Sequence, residues 1–251
     1  MSGHSKWSTI KHRKGAQDAK RSKIFTKIIK EITVATRLGG EDADANPRLR
    51  AAILLAKSAN MPNDNIKRAI AKGAGGAKGD DYEEIVYEGF GPNQVAVIVE
   101  CLTDNRNRTV SSVRTIFNKK GGNMGSSGSV MFNFTRIGLI EVPKASIEED
   151  ALMELIIEAG AQELDTEGEA LYEVHTDQTD LAKVQGYLEE KGVEVSRAVL
   201  YYLPQNKAEI TTPEDAEAVM AFLEALEDDD DVQVVYSNVD FSDEALAGMD
   251  E

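Results

Sequence analysis

The sequence has few of the residues that build metal centres, disulfides or membrane spans. A single cysteine, Cys101, among 251 residues excludes a disulfide framework and any multi-cysteine zinc or iron–sulfur site. Three histidines leave little material for a His-rich metal site. No run of 18 apolar residues occurs, which excludes a membrane-spanning helix. We therefore predict no metal, no cofactor and no membrane partner.

No catalytic arrangement of residues can be recognised either. Cys101 ends an apolar stretch and is predicted to be a small buried hydrophobic residue rather than a nucleophile. The glycine-rich segment 121–129 follows a predicted helix and precedes a predicted strand, the reverse of the order in a phosphate-binding loop. The many carboxylates form no assignable acid–base pair. We predict that the protein is not an enzyme and has no small-molecule substrate.

Charge is distributed very unevenly along the chain. The formal net charge is −16, yet residues 1–78 carry 17 lysines and arginines against 6 aspartates and glutamates. Residues 79–251 carry 11 against 38. A dense excess of cations is typical of a site for nucleic-acid phosphates, and the acidic remainder repels the same phosphates. Binding is therefore expected at the N-terminal end, and the alternative is a solvated basic arm that only maintains solubility.

The first residues lack the apolar core and the cleavage site of a secretory signal. The basic run begins at Lys6 and continues into a predicted helix, which leaves no separate leader, so a cytoplasmic protein is expected. Trp7 lies within this run. Its ring either stacks on a base, a contact worth ~1–3 kcal/mol, or attaches the basic arm to the helical residues that follow.

Residues 1–78 are predicted to form a basic helical nucleic-acid-binding domain. Apolar residues from Ile24 to Ala35 recur at helical spacing and predict a first helix, and capping signals predict two more. The glycine-rich segment 73–81 predicts a flexible linker. The predicted helix ends are Gly39 and Gly40 for the first helix, Asn46 and Pro47 at the start of the second, and Asn63 and Gly73 at the two ends of the third.

The remainder is predicted to form two α/β domains. Residues 136–205 show the order β-α-β-β-α-β of a ferredoxin-like domain with an acidic composition. Residues 82–135 and 206–240 together supply the elements of a discontinuous domain into which 136–205 is inserted, and 241–251 form a tail. Within the discontinuous domain we predict strands at 84–90, 94–102 and 129–135 and a helix at 108–120. The predicted fold class is α+β multidomain, with an N-terminal helical domain and two ferredoxin-like α/β domains, one inserted in the other.

A second basic cluster surrounds the predicted helix at 108–120. Gly121 is predicted to cap this helix, with a mobile turn after it. Alternatively, the glycine-rich segment 121–129 brings its backbone amides close to phosphates of a nucleic acid. A helix face exposed to solvent explains the presence of the cations equally well. The cluster consists of Arg106, Arg108, Arg114, Lys119 and Lys120.

Several long motifs resemble the YebC/PmpR family, which includes the mitochondrial translational activator of cytochrome c oxidase. The similarity runs from residue 3 to at least residue 238 and is weakest in 136–205. The motifs are GHSKW at 3–7, HRKGAQDAKRSKIFTKIIKEI at 12–32, NPRLRAAI at 46–53, MPNDNIKRAI at 61–70, YEGFGP at 87–92, CLTDNRNRT at 101–109 and GGNMGSSGSV at 121–130.

The resemblance implies a non-enzymatic bacterial protein of three domains. It implies a DNA-binding transcriptional regulator, and the alternative is a translation factor that binds the ribosome or ribosomal RNA and assists synthesis of proline-rich stretches. A further alternative is a protein-interaction scaffold. The candidate nucleic-acid-binding residues are Lys6, Trp7, Lys11, Arg13, Lys14, Lys20, Arg21, Lys23, Lys27, Arg106, Arg108, Lys119, Lys120, Gly121 and Gly122.

The first prediction concerns the basic arm. Replacing Lys6, Lys11, Arg13 and Lys14 together by alanine should weaken nucleic-acid binding by orders of magnitude at moderate salt, because each phosphate contact contributes about −0.7 to −0.9 to the slope of log affinity against log salt. Affinity is measured by titration at several salt concentrations. An unchanged affinity would show that the arm is not the anchor, and salt-insensitive binding would favour the scaffold.

Overall fold

The computed structural model describes residues 17–75 and 82–247, with side chains from residue 22 onward. Predictions that concern 1–16, the linker residues 76–81 and the tail residues 248–251 lie outside the described residues. No helix in the described ranges has both the length and the apolar character needed to cross a membrane.

The first described segment is helical, as predicted. It contains α1 (Gln17–Gly39), α2 (Pro47–Ser58) and α3 (Asn63–Ala74). The Asn46 side chain caps α2, since its Oδ1 accepts a hydrogen bond from the Leu49 amide at 3.1 Å.

Three details predicted for these helices are wrong. Ile24, placed on the apolar face of α1, is 44% exposed. Asn63 is the first residue of α3 rather than its cap, because Pro62 occupies that position. Gly73 does not end α3 but lies buried inside it. A Cβ on Gly73 would be 2.6 Å from the carbonyl oxygen of Thr33 in α1, so the glycine permits the two helices to approach closely.

The chain continues into strands and a helix beyond residue 82. These are β1 (Glu83–Phe90), β2 (Ala96–Thr103), α4 (Arg106–Lys119) and the two-residue strand β3 (Asn123–Met124). The strand predicted at 129–135 is wrong, because Met131–Asn133 form a short 3₁₀ turn and the next strand begins at Phe134. The amides of Val130 and Met131 are bound to a side chain, so they are not available to a strand partner.

The next segment has the predicted order β-α-β-β-α-β. Its four strands are β4 (Phe134–Pro143), β5 (Glu163–Asp165), β6 (Leu171–Asp177) and β7 (Arg197–Pro204). They form a sheet in the order β5-β6-β4-β7, with β6 antiparallel to both of its neighbours. Its core is formed by residues such as Ile140, Leu152 and Val184, all fully buried. The helices are α5 (Glu149–Ala159) and α6 (Leu181–Glu190).

The remaining elements return to the first sheet, which gains the strand β9 (Val232–Ser237) and has the order β3-β1-β2-β9. In its core the rings of Phe117 and Phe222 meet edge to face, with their centroids 5.0 Å apart. These observations establish an α+β fold. The last elements are β8 (Ala208–Ile210), α7 (Pro213–Glu227), β9 (Val232–Ser237), β10 (Val239–Phe241) and α8 (Asp243–Ala247).

The described residues divide into two compact units. One comprises 28–75 and 136–203, and the other comprises 17–27, 82–135 and 204–247. In the first unit, Ser58 Oγ of α2 donates to the carbonyl of Ser196 at 3.1 Å, and Leu54 packs against the core beneath the β5-β6-β4-β7 sheet. The three-part division predicted from the sequence separates residues that this unit groups together.

The close packing of α1 on α3 generates a prediction with an internal control. Gly73→Ala should destabilise the protein by about 1–3 kcal/mol, because the new methyl group overpacks the contact with Thr33 and Thr36. Gly186→Ala in α6 should instead stabilise by about 0.5–1 kcal/mol, because nothing lies within 4 Å of its Cβ position and alanine favours the helix. Urea unfolding of both variants measures the difference. Equal effects from the two substitutions would contradict this account.

Candidate nucleic-acid interface

Helix α4 carries the second basic cluster on its exposed face. Its inner face is fixed by Val113 and Phe117, which are fully buried in the core. No residue of α4 is acidic, although this part of the chain is acidic as a whole. The exposed residues of α4 are Arg106, Asn107, Arg108, Ser111, Arg114, Thr115, Asn118 and Lys119, and Lys120 follows directly.

Most cations on this face lack a strong internal partner. Arg106 is 69% exposed at its side chain, and its Nη1 lies 4.0 Å from a carboxylate oxygen of Glu83. Among residues 22–75 and 82–247, no carboxylate lies within ion-pair distance of Arg114, Lys119 or Lys120. These side chains can therefore contact a phosphate without first breaking an ion pair.

Arg108 differs, because it holds the N-terminal end of α4 in place. Its Nε and Nη2 donate to the two carboxylate oxygens of Asp231 at 2.8–3.0 Å, and Nη2 also donates to Asp104 at 2.8 Å. Thr109 adds a hydrogen bond to Asp231 at 2.9 Å, and the Asp231 side chain is only 7% exposed. The sequence predicts Arg108 as a phosphate ligand, whereas the structure gives its guanidinium an internal structural role.

The C-terminal end of α4 is closed by glycines, as predicted. Lys120 is the C-cap residue, and Gly121 follows it in the left-handed conformation with a φ of +79°. The amide of Gly122 then donates to the carbonyl of Phe117 at 2.8 Å. The next two residues pair as β3 with Gly89 and Phe90 of β1. The start of the loop is therefore a fixed connection between α4 and the sheet.

The rest of the loop is organised around the carboxylate of Glu88, which is only 4% exposed. It accepts hydrogen bonds from the amides of Gly128 at 2.7 Å and of Val130 and Met131 at 2.9 Å each. Burial by itself raises the pKa of Glu88, but the three amide hydrogen bonds together outweigh burial and lower the pKa below its ordinary value. Glu88 is therefore a buried anion stabilised by the loop backbone.

These contacts bear on the hypothesis that loop amides bind phosphate. The amides of Gly128, Val130 and Met131 are bound to Glu88 Oε1 and Oε2, and those of Gly125 and Ser129 are bound to backbone carbonyls. The loop therefore already contains its own anion. These five amides are therefore not available to a phosphate.

Two lysines of the predicted N-terminal site also have internal partners. The Nζ of Lys23 donates to the carbonyl of Asp228 at 3.1 Å, and that of Lys27 donates to the carbonyl of Glu227. Both carbonyls lie at the C-terminal end of α7, where cations stabilise the exposed carbonyls and the helix dipole. These lysines attach α1 to the acidic end of α7.

The side chains of the other predicted N-terminal residues lie outside the described part of the chain. Lys20 and Arg21 belong to α1, but their side chains lie outside the described residues. The remaining members also lie outside the described residues, and their proposed roles stay predictions. They are Lys6, Trp7, Lys11, Arg13 and Lys14.

The structure reveals one candidate residue that the sequence analysis missed. Phe132 is 77% exposed, although its neighbours Val130 and Phe134 are 1% and 7% exposed. Alternation in a strand would place all three on one face, and the 3₁₀ turn at Met131–Asn133 turns Phe132 outward. The pattern of residues alone contains no signal for this turn.

Cys101 is buried, as predicted. Burial and nearby carboxylates raise the pKa of its thiol to about 12, so the thiol is protonated at neutral pH. Within the described part of the chain, no group of three or more His, Cys, Asp and Glu side chains is arranged to hold a metal ion.

The chain matches known proteins over nearly its whole length. Residues 5–76 match the model of the TACO1/YebC protein N-terminal domain, and residues 82–239 match that of the TACO1/YebC second and third domain. A "Probable transcriptional regulatory protein" of Desulforapulum autotrophicum is 53% identical over 99% of this chain and 100% of its own length. One of Persephonella marina is 53% identical over 98% of each chain.

A solved structure also matches. The crystal structure of a conserved hypothetical protein from Aquifex aeolicus has a TM-score of 0.83 and 47% sequence identity. The alignment covers 93% of this chain and 96% of that one.

Glu88 provides a test of the loop architecture. Glu88→Gln should destabilise the protein by about 1–3 kcal/mol at pH 7, because an amide group cannot accept the same three hydrogen bonds. Since the folded pKa is lowered, the contribution of Glu88 is complete above the unfolded value of about 4.3 and is lost as the pH falls through the folded pKa. The difference between wild type and variant should therefore shrink in acid.

Urea unfolding between pH 7 and pH 3 measures this difference. Glu84→Gln, an exposed residue on the same strand, is the matched control and should change stability by no more than about 0.5 kcal/mol. A Glu88 variant as stable as the control at pH 7 would refute the structural role of the carboxylate.

Proposed function

Because the chain belongs to the TACO1/YebC family, we propose that it is a non-enzymatic, nucleic-acid-binding regulator of gene expression, in the first instance a DNA-binding transcriptional regulator. Its relatives are named probable transcriptional regulatory proteins, which supports regulation of transcription. The observation that carries nucleic-acid binding is the exposed face of α4, which has four accessible cations and no acidic residue in a strongly acidic part of the chain. The basic residues 1–30 provide a second cationic segment.

The side chains on this face fit phosphate contacts better than base recognition. Arg106, Arg114 and Lys119 can contact phosphates, and the Ser111 and Thr115 hydroxyls already donate to carbonyls of α4 at 2.8 and 2.7 Å. Seven of the nine cations in residues 1–30 are lysines, which bind phosphates as point charges rather than reading base edges. Affinity should therefore depend strongly on salt and weakly on sequence.

This weak base recognition favours a second candidate function, an RNA-binding or ribosome-binding translation factor. Folded RNA offers closely spaced phosphates and unpaired bases, which a cationic surface recognises without reading a groove. Crosslinking in cells followed by sequencing of both DNA and RNA separates the two candidates. Promoter-proximal DNA with little ribosomal RNA supports the transcriptional regulator, whereas enrichment of ribosomal RNA supports the translation factor.

A charge variant of α4 tests the interface itself. Replacing Arg106, Arg114 and Lys119 together by glutamine should weaken binding to duplex DNA and to a ribosomal RNA fragment. The slope of log affinity against log salt should fall by about two to three, since three phosphate contacts are lost. Fluorescence anisotropy between about 0.05 and 0.3 M salt measures both quantities.

The matched control removes the same charge elsewhere. Lys183, Lys191 and Lys207 lie outside the proposed interface and are replaced by glutamine in one protein. If long-range charge alone determines binding, the control loses as much affinity as the α4 variant, and the interface is wrong. If wild type binds neither DNA nor RNA at about 0.1 M salt, the proposed function is wrong.

A further inference from the structure

The ring of Phe132 is a large apolar surface that the fold leaves in solvent. At 77% exposure it is the most exposed large hydrophobic side chain among the described residues. Most side chains next to it in sequence are buried or polar, since Val130, Asn133 and Phe134 are buried, Thr135 is an exposed hydroxyl residue and Met131 is half-buried. A protein-binding site would have a contiguous apolar patch, which this isolated ring does not form with its neighbours along the chain.

The backbone on both sides of Phe132 is held rigidly. On the N-terminal side, Glu88 binds the amides of Val130 and Met131. On the C-terminal side, the Asn133 carbonyl accepts from the amide of Gln205 at 2.8 Å, and its side-chain oxygen accepts from Asn206 Nδ2 at 2.8 Å. The backbone at Phe132 is therefore held in place, and little backbone entropy remains to be lost when the ring contacts a partner.

The backbone that carries the ring is connected through the sheet to the cationic end of α4. Beyond Lys120 the chain pairs with Gly89 and Phe90 of β1, and Glu88 on the same strand binds the amide of Met131. At the spacings of an extended strand and a strand pair, this path is about 30 Å long at most. Along the chain between Lys120 and Phe132, Ser126, Ser127 and Gly128 are also exposed.

We propose that Phe132 stacks on an unpaired nucleobase of a single-stranded nucleic acid whose backbone contacts the cations of α4. Aromatic rings beside cationic surfaces bind single strands in this way, because every base has a flat face whatever its sequence. A base within a duplex is already stacked on its neighbours, so the ring discriminates in favour of unpaired segments. The proposal rests on the proposed nucleic-acid binding and adds the kind of strand that is bound.

The test uses the full-length chain and four probes. These are a 15-nucleotide single-stranded RNA and the corresponding single-stranded DNA, each with a central 2-aminopurine, and the two matching duplexes. Wild type should bind the single strands and quench the 2-aminopurine by stacking. Phe132→Ala should weaken single-strand binding roughly five- to a hundred-fold and abolish the quenching, while duplex affinity changes less than about twofold. Phe132→Trp should retain both binding and quenching.

The control is Ile157→Ala on α5, which removes another exposed apolar side chain, 69% exposed, and should change nothing. Equal thermal midpoints show that the variants fold. Unchanged single-strand affinity of Phe132→Ala, an equal loss for single strands and duplexes, or a change only in self-association would each overturn the stacking role. Failure of wild type to bind any of the four probes would instead overturn the proposed function. Quenching with RNA alone or with DNA alone supports the role and identifies the strand.

Discussion

A buried carboxylate destabilises a fold unless hydrogen bonds replace its lost hydration, and two such groups order α4 and the loop that follows it. Asp231 lies at the N-terminal end of the helix, where it accepts hydrogen bonds from Arg108 and Thr109. Glu88 lies beyond the C-terminal end and accepts three amide hydrogen bonds from the following loop. The core then fixes the inner face through Phe117. Asp231 holds the first turn of α4, the core holds its inner face, and the Gly122 amide and β3 hold its last turn, so the polar face of α4 has a defined position. The order of the later loop follows from the Glu88 contacts.

Some cations of this chain make internal contacts and others are exposed to solvent. The position of a cation in the sequence does not show to which of these two groups it belongs. Lys23, Lys27 and Arg108 are bound to carbonyls or carboxylates of the acidic segment 227–231, so they join parts of the chain. Arg114 and Lys119 belong to the same basic cluster as Arg108, but their side chains are exposed to solvent. A phosphate competes with an internal carboxylate in the first group and with water in the second. The second group is therefore the better estimate of the binding surface.

The sequence predicts elements well where capping and periodicity act locally. The Asn46 cap, the glycine end of α4 at Gly121 and the β-α-β-β-α-β order all depend on neighbouring residues and were predicted correctly. The errors arise from contacts between distant residues. Gly73 looks like a helix end until α1 packs against it, and 129–135 looks like a strand until Glu88 binds its amides. The exposure of Phe132 follows from this second contact, so no local pattern could indicate it.

The acidic composition is consistent with a restricted nucleic-acid site. At physiological salt the Debye length is about 8 Å, whereas α4 with its 14 residues is about 21 Å long. Carboxylates beyond that distance hardly weaken a direct contact between an α4 cation and a phosphate. They do repel a nucleic acid that approaches any other part of residues 79–251, where acidic residues outnumber basic ones 38 to 11. For the proposed nucleic-acid binding, the excess of negative charge therefore favours the orientation in which a strand meets the cationic face over contacts elsewhere on residues 79–251.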